Sequence, residues 1–367
     1  MDAHSISGLA LLNELSVIDS EHFIDFIYGH QIHPSKEYGT SRCGFRGSTF
    51  IGSPLELGDK HDSYPSLPYD SCHVTTDYSA LVALLILGDD LGRVNRQAVV
   101  DGILALQTCN GNLMNGSLFC PEFDARFIFS AVASAYILDK LDQLNLDAFE
   151  KFFVGSITYE GAFGKLPKLE SHAGITYCAL ASLKLMNRLD KVFPAGSFQR
   201  QKLINWLLSR QRGGFNGRSQ KEPDTCYTFW VGASLKMLDA HKYVEKKSLL
   251  EFVCSSYDPI VGGFMRSPDA SVDLLHSYMT LAGLSCLLID PLSPEIAGMP
   301  SPSLSESLND LQLTDPPSLA VFRHLCQIVH DDGGTGLEPL VPELNLPLST
   351  FKRLKDIHAK WRSVSQS

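Results

Sequence analysis

Positive charge is scarce in this chain: 31 Lys and Arg stand against 41 Asp and Glu, a net charge of −10 over 367 residues. Nucleic acids and anionic membrane surfaces attract an excess of basic residues, so this balance argues against both as partners. Any positive site must be local. Paired cysteine motifs are missing as well. The nine cysteines are odd in number, include no C-x-x-C, and several (Cys72, Cys178, Cys286) sit in apolar runs. That pattern favours free thiols in a reducing compartment over a disulfide framework. The longest strongly apolar run, Tyr78 to Leu87, falls far short of the ~20 residues that span a bilayer. The opening stretch MDAHSISGLALL has no basic n-region, which predicts no signal peptide, no membrane span and a cytoplasmic location.

What the sequence does contain is self-similarity. Five segments align without gaps: YSALVALLIL from Tyr78, FSAVASAYIL from Phe129, YCALASLKLM from Tyr177, FWVGASLKML from Phe229 and YMTLAGLSCL from Tyr278. Their leading aromatics are 51, 48, 52 and 49 residues apart. Phe163, Phe215 and Phe264 each follow a glycine-containing turn and lie 14 residues before an aligned aromatic. The unit therefore reads as helix, glycine turn, helix. The aligned segments are apolar on more than one face, as a helix buried all round must be. The segments before them, such as Phe198 to Ser209, are amphipathic and predict an outer layer. Together these predict an all-α fold, an α-α barrel of about 50-residue hairpins (an α6/α6 toroid) over residues 1–290. Its first repeat is expected to be truncated, because ISGLALL at Ile6 resembles only the end of an inner helix. An open solenoid shares the same periodicity.

Two regions break the pattern. Gly39 to Ser71 is rich in Gly, Ser and Pro and predicts an ordered, irregular loop. Residues 291–347, rich in Pro, Ser and Asp, predict a largely flexible insertion, followed by a C-terminal helix and tail over 348–367 that complete the barrel domain.

Equivalent positions in a repeat share a height around a barrel. His172, Asp224 and Asp273 lie five residues before their aligned aromatic, Arg126 and Cys226 three before, and Tyr227 and His276 two before. Their side chains are therefore expected to converge where inner-helix N-termini point backbone N–H groups, a setting suited to an anion. Asp224, Cys226 and His276 supply a carboxylate, a thiol and an imidazole, a donor set compatible with zinc. Three protein ligands leave a fourth position open, as in catalytic rather than structural zinc sites. The same three residues also fit a plainer reading as a helix cap, a buried thiol and a satisfied histidine. His172, Arg218, Lys221, Tyr227 and Arg266 gather cations and donors on the same rim, which suggests a phosphate or diphosphate site. Phe129, Trp230, Tyr177 and Tyr278 fall on inner helices, where they could line a central cavity; Tyr177 and Tyr278 read rather as plain core, and Trp230, one turn in from Cys226, is the better cavity candidate. The acidic pairs Asp89/Asp90 and Asp331/Asp332 lie outside this register and read as helix-end or loop residues.

With these residues in view, the chain resembles the protein prenyltransferase β-subunit family from about Ser7 to Leu288 and again over Leu344 to Trp361. The resemblance is carried by ESHAGITYCALASL (Glu170 to Leu183), GFNGRSQKEPDTCYTFW (Gly214 to Trp230) and VGGFMRSPDASVDLLHSY (Val261 to Tyr278). It implies that Asp224, Cys226 and His276 hold one Zn2+, whose open position receives the cysteine of a C-terminal CaaX motif. It implies diphosphate binding by His172, Arg218, Lys221 and Tyr227, and an isoprenoid tunnel lined by Arg126, Trp230 and Phe129. Tyr227 thereby joins the three zinc ligands among the catalytic residues. Arg266 stands where farnesyl enzymes carry an Asp for magnesium and type I geranylgeranyl enzymes carry a basic residue, which implies that Mg2+ is not required. RCGFRGSTFIG from Arg42, together with YDSCHV and ILGDDLGRVN between Tyr69 and Asn95, is also similar to the type I branch. The implied partners are a prenyltransferase α subunit in a heterodimer, geranylgeranyl diphosphate, and CaaX proteins such as small GTPases, with X often Leu. A farnesyltransferase β subunit and a truncated, non-catalytic barrel that only binds partners are the alternatives. A terpene cyclase would need an acidic D-x-D-D motif, which is absent.

Overall fold

The computed structural model describes residues 3–48, 69–107, 114–289 and 337–364. These form helices α1 (Ala3–Leu11), α2 (Ser20–Tyr28), α3 (Val74–Ile86), α4 (Arg96–Leu106), α5 (Ala125–Ile137), α6 (Leu146–Gly155), α7 (Ala173–Leu185), α8 (Leu189–Val192), α9 (Phe198–Leu208), α10 (Tyr227–Met237), α11 (Lys246–Ser255), α12 (Leu274–Leu288) and α13 (Leu348–Val364). Four short antiparallel hairpins lie among them: β1–β2 (Gln31–Ile32, Gly44–Phe45), β3–β4 (Asn115–Ser117, Cys120–Phe123), β5–β6 (Gln211–Arg212, Gly214–Phe215) and β7–β8 (Leu340–Val341, Leu346–Pro347). No helix among the described residues is long and apolar enough to cross a membrane.

The five aligned segments are α3, α5, α7, α10 and α12. In α7 only Gly174 and Lys184 escape full burial, so this helix is enclosed on every side, as its all-round apolar sequence demands. Neighbouring inner helices pack in order from α3 to α12, and α1 packs on both α12 and α3. The ring therefore closes with six members, which decides for a toroid over an open solenoid. The helices α2, α4, α6, α9 and α11 alternate with the ring members along the chain; the last four bury one face each, and α2 buries only Tyr28. Between α10 and α12 the approach is close enough that a Cβ on Gly283 would sit 2.3 Å from the Thr228 carbonyl carbon.

The ends of the ring helices repeat as faithfully as their cores. Asn13, Gly88, Asp139, Asn187 and Asp239 all take positive φ, at 57°, 100°, 55°, 57° and 57°. Each of the last four lies ten residues beyond its aligned aromatic. The amide of the following residue returns to the last helical turn, as in Glu14 to Leu9, Lys140 to Ala135, Arg188 to Leu183 and Ala240 to Leu235 (2.7–2.9 Å). This is the left-handed C-terminal cap that Gly and Asn favour. Counted back from Asn13, the position of the leading aromatic is Ala3. Thus α1 is in register with the other five although its first residue is not aromatic.

The helix α13 lies across the end of α5: its buried His358 hydrogen-bonds the Ile137 carbonyl at 2.9 Å, and Arg362 pairs with Asp139 at 2.5 Å. Part of the segment expected to be flexible is packed instead. Residues 337–347, placed with the flexible insertion on sequence grounds, bury Leu337, Leu340, Val341, Leu344 and Leu346, and form the hairpin β7–β8. Tyr177 and Tyr78 donate their hydroxyls to the Pro342 and Leu344 carbonyls at 2.8 and 3.0 Å, and Tyr278 bonds Asn345 at 2.8 Å. Those leucines and three inner-ring hydroxyls hold the segment in the barrel. The rest of the insertion, Asp331 and Asp332 with it, and most of the irregular loop before Ser71 lie outside the described residues.

Candidate active site

The rim of the ring is built from helix caps. His73, Asp124, His172 and Asp273 each precede an inner helix and accept a first-turn amide, from Thr75, Arg126, Gly174 and His276 respectively. Asp224 plays a similar part just before α10, its Oδ1 accepting at 3.0 Å the amide of Cys226, the residue at the N-cap of that helix. All five sit five residues before their aligned aromatic. The register had singled out three of them; His73 and Asp124 were equally available to it.

Several of these caps use a second atom for something else. Asp224 Oδ1 faces His276 Nε2 at 3.4 Å, and its Oδ2 accepts from Arg266 Nε at 3.1 Å. Asp273 Oδ2 holds His276 Nδ1 at 2.6 Å, which leaves Nε2 as the ring atom turned toward Asp224. Ligand atoms of Asp224, Cys226 and His276 all lie within 4.8 Å of one another. The carboxylate-to-imidazole separation of 3.4 Å matches an edge of a tetrahedron with metal–ligand bonds of ~2.1 Å. The donor set, the spacing and the carboxylate behind His276 all fit a zinc-type ion.

Charge in the cluster is interdependent. Burial acts to raise the Asp224 pKa, but hydrogen bonds from His276 and Cys226 outweigh it and hold the carboxyl below its ordinary value. His276 is raised, first by its hydrogen bond to Asp224 and also by Asp273. The Cys226 thiol is pushed up, by burial and then by the Asp224 carboxylate. Without a cation the thiol therefore stays protonated at neutral pH.

Beside this cluster, His172 Nδ1 caps α7 and its Nε2 meets the Tyr227 hydroxyl at 3.2 Å. Burial and then Arg218 lower the His172 pKa, and burial with Cys226 pushes Tyr227 up to about 12. Both are neutral hydrogen-bonding groups at physiological pH. Arg218 is exposed and pairs with Glu170 at 3.0 Å, and Lys221 is exposed on the same loop. Gly217 is required here, since a Cβ would fall 2.2 Å from the Tyr227 hydroxyl.

Inside the ring lies a cavity of about 180 Å³ with a mainly apolar lining that includes Phe129, Trp230, Tyr177, Tyr278 and Met279. The aligned aromatics form a belt around it: Phe129 contacts Tyr78 and Tyr177 edge-on at 5.2 and 5.6 Å, and Trp230 contacts Tyr177 at 5.1 Å. Tyr177 and Tyr278, which sequence reasoning assigns to plain core, line this cavity as well. Arg126, expected to line an isoprenoid tunnel, is not among the residues that line this cavity. Its guanidinium is held on the rim by Asp124 and Glu122, at 2.7 and 2.9 Å, with Lys165 beside it. Glu122 comes from the hairpin β3–β4, outside the repeat register, so no periodic signal could have found it.

Comparison with known proteins agrees with this architecture. Residues 3–345 match the model of the prenyltransferase alpha-alpha toroid domain. The chain is 39% identical to the geranylgeranyl transferase type-1 subunit beta of Dictyostelium discoideum over 288 residues, covering 76% of this chain and 80% of the relative. It is 32% identical to the subunit of the same name from Arabidopsis thaliana over 310 residues, 80% of each chain. Among solved structures, Candida albicans protein geranylgeranyltransferase-I complexed with GGPP shares the fold, with a TM-score of 0.69 at 21% identity over 97% of this chain and 90% of that one. On the closed ring of repeats, the domain match and the two curated relatives together, this chain belongs to the prenyltransferase alpha-alpha toroid family.

Proposed function

We propose that this chain is the catalytic β subunit of a type I protein geranylgeranyltransferase, moving a geranylgeranyl group from its diphosphate to the cysteine of a C-terminal CaaX motif. The observation that carries the reading is the juxtaposition of the Asp224, Cys226 and His276 donor set, the His172–Tyr227 pair and the apolar cavity at Trp230. Zinc bound by the three ligands would supply Lewis acidity, holding an incoming thiol as its thiolate.

The remaining work falls to the chain's own groups. His172 Nε2, the Tyr227 hydroxyl, Arg218 and Lys221 offer donors and positive charge to diphosphate oxygens, stabilising the charge that builds on the leaving group. Arg266 adds a guanidinium beside Asp224 at the place a magnesium ion would otherwise serve, so transfer is expected without magnesium. Phe129 and Trp230 receive the hydrocarbon. At about 180 Å³ the cavity is smaller than the ~300–1,000 Å³ of common ligand sites. Seating the tail therefore needs side-chain movement, for which the flexible Met279 is suited. The partners on this reading are a prenyltransferase α subunit and CaaX proteins such as small GTPases.

The test is zinc content and prenyl transfer by the chain co-expressed with an α subunit, comparing geranylgeranyl and farnesyl diphosphate in the absence of magnesium. Stoichiometric zinc and geranylgeranyl transfer to a Leu-ending CaaX peptide support the reading. Preference for the farnesyl donor would replace it with the farnesyltransferase reading, and a folded complex without zinc would remove the role given to the three ligands.

A further inference from the structure

Beneath the loop that carries Arg218 and Lys221 lies a cation that the chemistry above does not use. Arg210 is 7% exposed and makes no ion pair among the described residues. Neutral groups hold its guanidinium. Nε donates to the Trp206 carbonyl at 3.3 Å, Nη2 to Ser209 Oγ at 3.1 Å and Nη1 to Ser219 Oγ at 3.1 Å, with the guanidinium carbon 4.7 Å from the centre of the Trp206 ring. Glu160 and Glu170 act on this charge from beyond ion-pair distance, and burying a charge with no counter-ion in contact is costly. Local rules broken in this way concentrate at functional sites.

The surroundings direct this charge toward the rim. Ser219 stands between Arg218 and Lys221 in the chain. The start of the loop is anchored by two backbone bonds, Asn216 to the Arg210 carbonyl at 2.9 Å and Ala173 to the Gly217 carbonyl at 2.8 Å. Gly217 in turn packs against the Tyr227 hydroxyl, which meets His172. Arg210, Ser219, the loop and the His172–Tyr227 pair are thus one contiguous assembly.

We propose that Arg210 is a positioning residue for diphosphate recognition: through Ser219 it fixes the loop at residues 216–222, and its buried charge, which no carboxylate contacts among the described residues, adds to the field that Arg218 and Lys221 present to an anion. The proposal rests on the diphosphate reading of the rim. A purely structural role is also available to Arg210, since its bond to the Trp206 carbonyl closes the C-terminal end of α9. Only the proposed role ties Arg210 to the charge of the ligand.

The experiment measures binding of geranylgeranyl diphosphate and of geranylgeraniol, the same tail without phosphate, by calorimetry on the chain with its α subunit. Arg210→Met is expected to weaken diphosphate binding about tenfold while leaving the alcohol within about twofold, Arg210→Lys to restore most of the loss, and Ser219→Ala to cost about threefold. A folded Arg210→Met complex with the wild-type ratio of the two affinities overturns the proposal. Should Arg210→Met fail to fold, Ser219→Ala decides, and an unchanged diphosphate affinity there overturns it equally. Arg218→Gln separates the two levels: a loss in Arg218→Gln alone removes only the role of Arg210, whereas no loss in any variant removes the diphosphate site itself.

Discussion

Replacing Asp273 by Asn separates two tasks performed by one carboxylate. Oδ1 accepts the His276 amide at 2.9 Å and caps α12, while Oδ2 holds His276 Nδ1 at 2.6 Å. The hydrogen bond at Nδ1 assigns the tautomer and leaves the Nε2 lone pair for a metal. Asn keeps an acceptor for the amide but removes the anion from the imidazole. Partners of this kind are worth about 10–100-fold in metal affinity. Because the Asp273 side chain is 47% exposed, screening places the effect at the lower end, about tenfold or ~1.4 kcal/mol. The unfolding free energy of the metal-free protein should shift by less than ~0.5 kcal/mol in Asp273→Asn, because the cap survives, and by ~0.5–2 kcal/mol in Asp273→Ala, where it does not. The assay is competition for zinc against a chromophoric chelator, paired with urea unfolding of the metal-free chain. Wild-type zinc affinity in Asp273→Asn would refute the claim that this carboxylate orients the ligand, and equal instability of the two variants would refute the division of its tasks.

Gly283→Ala gains up to ~1 kcal/mol of helix propensity yet should destabilise the protein by ~2 kcal/mol or more, because its Cβ would meet the Thr228 backbone at 2.3 Å; a raised unfolding midpoint would contradict the α10–α12 packing. Tyr177→Phe leaves the half-buried Pro342 carbonyl without its 2.8 Å donor and should cost ~1 kcal/mol in chemical unfolding, while a neutral result would mean that the hairpin β7–β8 does not depend on this tether. Burial pushes the Asp77 carboxyl up to about 8, although the Phe45 amide and Cys72 act to lower it. Since the unfolded value is ~3.9, the folded state keeps its proton longer, so the stability this group supports is full below about pH 4 and declines as pH rises toward 8. Asp77→Asn retains an acceptor for the Phe45 amide, now 2.6 Å from Oδ1, and removes the titration; its stability should be flatter than wild type across that window, and parallel curves would count against a buried, raised carboxyl.

The ring was legible because its repeats obey one register in three separate properties: the leading aromatics, the N-caps five residues earlier and the left-handed C-caps ten residues later. Where one property lapses, the others must carry the register. Ala3 replaces the aromatic in α1, and 75 residues separate it from Tyr78, so this shorter sixth member of nine residues is tied to the rest by Asn13, which carries the same cap as Asn187. The hairpin β7–β8 was hidden for a different reason. Leu337, Leu340, Val341 and Leu344 stand at helical spacing, but Pro339 and Pro342 interrupt any helix there, and the tethers of the hairpin, such as Tyr78 to Leu344, join residues 266 apart. Arg126 sits in the register and is held by the in-register cap Asp124, but its other partner, Glu122, comes from a hairpin that does not repeat. Arg210 carried no signal at all, because a lone arginine before a glycine turn resembles any solvated loop charge until its burial is seen.

A capping position demands a side-chain acceptor beside the first-turn amides, and in a closed ring every such position faces the same opening. Three of the caps here are bifunctional. His172 caps with Nδ1 and presents Nε2 to Tyr227; Asp224 caps with Oδ1 and meets Arg266 with Oδ2; Asp273 caps with Oδ1 and orients His276 with Oδ2. Ser or Thr would satisfy each helix through one hydroxyl oxygen but could not reach a second partner in the same way. The choice of two-headed caps is thus where the requirements of the fold and of the site coincide. It explains why a pattern weak as a metal motif, an Asp and a Cys with a His fifty residues on, becomes specific once the repeat fixes all three on rigid helix ends.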